Sequence, residues 1–119
     1  MLGQRHRFHG YGSLKAVYQR GQNARGPLVS LRYAQRGANR PYRVAVVVSK
    51  KVSKSAVVRN RIRRRIYEII RQADPQPAAG SDLVFTVFGE AVATMESKQL
   101  AKTINGLLQK SIVTPPINH

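Results

Sequence analysis

The chain contains no cysteine and no tryptophan, and its five acidic residues stand against twenty-one lysines and arginines. Without cysteine there can be no disulfide, no thiolate nucleophile and no cysteine zinc site, and an intracellular reducing compartment needs no accommodation. The acids, Glu68, Asp74, Asp82, Glu90 and Glu96, are dispersed without paired spacing, and the three histidines, His6, His9 and His119, are terminal. General acid–base or metal-assisted chemistry needs such groups in clusters, so neither catalytic residues nor metal ligands are expected in this chain. Gly10 and Gly12 are too short a match for a nucleotide fingerprint, and there is no Walker loop. No apolar run approaches a transmembrane length, and the amino terminus carries charge without an apolar signal core. A cytoplasmic protein with no membrane partner is expected.

What the chain does have is ordinary hydrophobicity and extreme basicity. Its 119 residues are 42% hydrophobic, enough for one domain with its own core. The net charge of +16 points to a polyanionic partner, nucleic acid before membrane. The charge is also local, because residues 1–73 hold eighteen of the twenty-one basic residues and a single acid.

The densest stretch runs Val58-Arg59-Asn60-Arg61-Ile62-Arg63-Arg64-Arg65-Ile66. As a helix it places Val58, Ile62, Ile66, Ile69, Ile70 and Ala73 on one stripe, with guanidinium groups over the rest of the surface. Charge runs are usually solvated faces, but solvated faces mix Glu with Lys. This one is almost purely Arg, the residue suited to bidentate phosphate contacts and to stacking on bases. Lys50, Lys51 and Lys54 precede it, with Ser53 or Ser55 as its cap. An interfacial membrane helix would carry Trp or Phe beside its basic face, and this one does not.

The remaining elements follow from periodicity. Residues 1–10 read as a flexible basic arm, residues 11–113 as a single RNA-binding domain, and residues 114–119 as a disordered tail. Ser13 caps a short helix from Leu14 to Arg20, stopped by Gly21, with Leu14, Val17 and Tyr18 on its inner face. Residues 21–27 read as a turn. Leu28 to Gln35 alternates as a half-covered strand, and Tyr42 to Ser49, apolar on both faces, reads as its hairpin partner and a central strand. Ser81 to Phe88 is a further strand, with Leu83, Phe85 and Val87 on one face and Val84, Thr86 and Phe88 on the other. Thr94 caps a last helix to about Ser111. The fold class is α+β, one sheet with helices packed on it.

The valine strand ending in Ser49-Lys50-Lys51, followed by Arg59-Asn60-Arg61 and the basic pair Arg63-Arg64, resembles the signature of the bacterial ribonuclease P protein subunit. The resemblance extends from Phe8 to about Ile112. It implies a single-domain sandwich of a four-stranded sheet and three helices with a left-handed βαβ crossover, against the right-handed rule. It implies a subunit of an endoribonuclease holoenzyme that removes the 5′ leader of precursor tRNA, with catalysis by the RNA partner and no obligate protein partner. Mg2+ would enter through that RNA, with no cofactor held by the protein alone. By matching positions, Arg59, Asn60, Arg61, Arg63 and Arg64 would contact the catalytic RNA, with Lys50, Lys51 and Lys54 beside them. The leader would thread a cleft between the first helix and the sheet, with Tyr18, Leu14, Tyr33, Val46 and Phe85 as its candidates, since aromatic rings stack on single-stranded bases. Leu14 stands where relatives carry an aromatic residue, and Phe88 where they often carry a basic one. The alternative reading is a ribosomal or chaperone-like RNA-binding protein that does not prefer precursor over mature tRNA.

Overall fold

The computed structural model describes residues 17–19, 21–35, 42–74 and 81–113. The expected arm and tail, the cap Ser13 and the cleft candidate Leu14 lie outside the described residues. The elements run α1 (described over residues 17–19), β1 (Gln22–Arg25), β2 (Val29–Gln35), β3 (Arg43–Val47), α2 (Ala56–Ala73), β4 (Ser81–Val87), a 3-10 turn (Glu90–Ala93) and α3 (Ser97–Val113). They form the expected α+β sandwich of three helices on a four-stranded sheet in the order β1-β2-β4-β3. β2 is antiparallel to both β1 and β4, whereas β3 and β4 run parallel and are joined by α2.

Three local expectations change. Gln22–Arg25 is a strand, not a turn: its backbone pairs with β2 from Gln22 opposite Tyr33 to Arg25 opposite Ser30, and Ala24 is buried. Ladder hydrogen bonds and one buried side chain outweigh a poor strand composition. β2 and β3 form no hairpin, because β4 lies between them, and β3 is an edge strand. An apolar run reports that the faces of a strand are covered; it is silent about neighbours in the hydrogen-bonding direction. Thr94 closes the 3-10 turn through its N–H to the Ala91 carbonyl, and α3 begins at Ser97, with Leu100 N–H on the Glu96 carbonyl.

The sheet's two faces are unlike. Val29, Leu31, Tyr33, Val44, Val46, Leu83, Phe85 and Val87 point to an inner face, where Ile62, Ile66 and Ile70 of α2 and Leu100, Ile104, Leu107 and Leu108 of α3 complete one buried core. The intervening residues, Asn23, Arg25, Ser30, Arg32, Val84 and Thr86, fall on the outer face by strand alternation and register. α1 lies on that outer face: Arg32 donates from Nε to the Val17 carbonyl at 3.3 Å and from Nη2 to the Tyr18 carbonyl at 2.6 Å. Gly21 ends α1, its N–H on the Val17 carbonyl, where a Cβ would stand 2.4 Å from that oxygen. Arg43 and Asp82, opposite each other on β3 and β4, make a bidentate ion pair at 2.8 and 2.9 Å. Among the described residues no helix is long and apolar enough to cross a membrane.

Candidate nucleic-acid interface

α2 starts where the sequence supplies a cap: the Ser55 hydroxyl accepts the Val58 N–H at 3.3 Å, and the buried Ser53 hydroxyl accepts the Ser55 N–H at 3.2 Å. It stops where Asp74 takes a left-handed conformation, φ 40°, ahead of Pro75. Of the expected apolar stripe, Ile62, Ile66 and Ile70 are buried, Val58 and Ile69 pack partly against the core, and Ala73 is exposed. The loop before α2 is fixed by the Val52 N–H on the Ser49 carbonyl, with Val52 against the core and Ser53 buried. Lys50, Lys51 and Lys54 are left exposed at the helix entrance.

The arginines divide by what they hold. Arg59 donates to the Ser53 carbonyl at 2.9 Å and so ties the lysine loop to the helix. Arg63 donates to Asn60 Oδ1 at 2.7 Å, and the Asn60 amide N–H groups have no partner among the described residues. Arg65 reaches the Val92 and Met95 carbonyls and joins α2 to the 3-10 turn and the link that leads into α3. Arg61 and Arg64 are exposed and make no ion pair or hydrogen bond among the described residues. With Val57, Asn60 and Arg65 they line a hollow of about 270 Å³.

The only acid on α2 is committed elsewhere. Arg71 grips Glu68 through two hydrogen bonds and Gln72 adds a third. The hydrogen bonds from Arg71, ahead of its charge, hold the Glu68 carboxyl down at about 2. Nothing acidic on α2 therefore offsets Arg61 and Arg64, and such a surface is stabilised by an anion. All eight residues expected to meet the catalytic RNA come together on the first half of α2 and its entrance loop.

A second surface lies on the outer face of the sheet. Tyr18, Arg25, Ser30, Arg32, Thr86 and Phe88 line a hollow of about 440 Å³. Tyr18 is thus placed in a cleft between α1 and the sheet. Tyr33, Val46 and Phe85 are not: all three are buried in the core on the inner face, under α2 and α3. The correction is one of parity, because the sequence separates the two faces of each strand without saying which one α1 covers. Arg25, Arg32 and Phe88 were not among the candidates. The signal for Phe88 was its place in the Val84, Thr86, Phe88 series, which is the series facing α1. Among the described residues no three carboxylate or imidazole side chains gather into a group able to hold a metal ion.

These features define a class: an α+β sandwich that displays an arginine helix with a lysine loop, and an aromatic hollow on the far face of its sheet. The family model described as Ribonuclease P matches residues 2–111. A ribonuclease P protein component of Synechococcus sp. (strain JA-2-3B'a(2-13)) is 35% identical over 114 residues, covering 93% of this chain and 85% of its own. That of Pseudanabaena sp. (strain PCC 6903) is also 35% identical over 114 residues, covering 95% and 97%. The chain belongs to the ribonuclease P protein family. The fold agrees: the RNase P protein of Staphylococcus aureus superposes with a TM-score of 0.78 at 19% identity over 92% of this chain and 98% of that one. That of Thermotoga maritima gives 0.78 at 18% identity, over 89% and 97%.

Proposed function

We propose that this chain is the protein subunit of a ribonuclease P holoenzyme, gripping the catalytic RNA with α2 and the 5′ leader of precursor tRNA with the outer-face hollow. The observation that carries the reading is the separation of the two surfaces. Arg61, Arg64, Asn60 and the three lysines form a cationic patch without acids, suited to a folded RNA backbone. The hollow between α1 and the sheet combines exposed rings with Arg25 and Arg32, suited to an unpaired strand whose bases stack while its phosphates meet cations.

The chain's own groups bind and orient, and the reaction belongs to the RNA partner. Mg2+ supplied with that RNA would polarise the scissile phosphate and activate water. Leader contact by the protein adds affinity for precursor over mature tRNA, the only difference between the two being the leader.

The test mixes the purified chain with a bacterial ribonuclease P RNA and 5′-labelled precursor tRNA at low magnesium, beside RNA-only and protein-only controls. Cleavage at the mature 5′ end that needs both components is the expected result. An unchanged RNA-only rate with the cognate RNA, together with equal affinity for precursor and mature tRNA, would move the chain to a ribosomal or chaperone-like role.

A further inference from the structure

The large hydrophobic side chains left in water among the described residues are Tyr18, Val57 and Phe88, at 42, 70 and 61% exposure. A single exposed apolar side chain is ordinary and asks for no explanation. Here each lines a hollow flanked by arginines, Val57 on α2 and the two aromatic residues together on the outer face. That coincidence is what a solvated surface would not produce.

Phe88 is also held in place. Its N–H is bonded to the Leu28 carbonyl at 2.8 Å, which continues the β2–β4 ladder one step past Val87. Gly89 lies so close to Leu28 that a Cβ there would stand 2.8 Å from its Cδ2. The backbone beneath the ring is therefore fixed, and only side-chain rotation remains to be lost when a flat ligand lands on it. Thr86, Ser30 and Arg25 form a cross-strand row on the same face, two hydroxyls and then a guanidinium two strands across, and all three line the same hollow as Phe88.

We infer that Phe88 is a stacking platform for one unpaired base of the leader, a second ring beside Tyr18, with Arg25 placed for the adjoining phosphate. The inference rests on the leader reading above and adds to it a specificity-determining residue. Stacking accepts any base, because each has a π-face, but it fails when the base is missing. Phe88 thus makes binding depend on the presence of a base at one leader position, where a cation would make it depend on the phosphate alone.

The experiment uses the holoenzyme and precursor tRNAs carrying a single abasic nucleotide at each leader position in turn, with the intact precursor and mature tRNA as references. Wild type is expected to lose about five-fold or more in affinity at the position that Phe88 serves. Phe88→Ala is expected to lose a similar factor on the intact precursor and to be insensitive to the abasic nucleotide there. Phe88→Tyr should restore both, and affinity for the catalytic RNA should be the same throughout. The inference is overturned if Phe88→Ala leaves precursor affinity unchanged, if it weakens intact and abasic precursors equally at every position, or if Phe88→Tyr fails to rescue. A wild-type holoenzyme that binds precursor and mature tRNA equally would instead overturn the leader reading itself.

Discussion

The Arg32 guanidinium donates to the Tyr18 carbonyl at 2.6 Å, so a side chain of the sheet holds the end of α1 above the outer-face hollow. The same group reaches the Val17 carbonyl, and Val17 is buried. Arg32 is therefore a positioning residue for the Tyr18 ring. Arg32→Ala is expected to raise KM for precursor tRNA several-fold, with kcat and catalytic-RNA affinity little changed, and to cost about 1–3 kcal/mol in denaturant unfolding. Steady-state kinetics on precursors with long and very short leaders would check it, the short-leader substrate showing the smaller effect.

Arg64 and Arg65 are adjacent in sequence and opposite in role. Arg64→Ala is expected to weaken catalytic-RNA binding and to reduce the slope of log K against log salt by about 1. Arg65→Met removes the donor to the Val92 and Met95 carbonyls, so it should destabilise the fold by about 2 kcal/mol and alter the salt slope less than Arg64→Ala does. Salt titrations and urea melts of both variants separate the roles. Equal slopes and equal midpoints would remove the distinction.

Gly106 sits inside α3, faces solvent, and has nothing within 4 Å of where a Cβ would be. Gly106→Ala is expected to stabilise the protein by about 1 kcal/mol through helix propensity and the unfolded-chain entropy of glycine. A rise in the thermal midpoint with unchanged RNA affinity is the expected measurement.

Glu68 gives a pH dependence of known sign. Its carboxyl is held at about 2 in the folded chain, against an ordinary value of 4.5, chiefly by the hydrogen bonds from Arg71. A depressed acid contributes stability above its unfolded value, and that contribution is lost as pH falls through the folded one. The stability difference between wild type and Glu68→Gln should therefore be constant near neutrality, shrink below about pH 4.5 and vanish near pH 2. Because the pair is exposed, the difference should be small and diminish with salt. A difference that grew on acidification would contradict the assignment.

Elements whose cause is local can be read from the order of residues alone. α2 follows from isoleucines at helical spacing, a serine cap and a following proline, and its cationic exposed face follows from the excess of arginine over acid. Strand parity was also local, so Phe88 could be set on the face opposite Phe85 by counting. Tertiary structure decided which face received which helix. That choice buried Tyr33, Val46 and Phe85 under α2 and α3 and left Tyr18 and Phe88 around the outer hollow. It also set β4 between β2 and β3 and recruited Gln22–Arg25 as an edge strand. Periodicity records that a side chain is covered, whereas the identity of the cover is a non-local fact, fixed by hydrogen-bond pairing and packing between segments far apart in the chain.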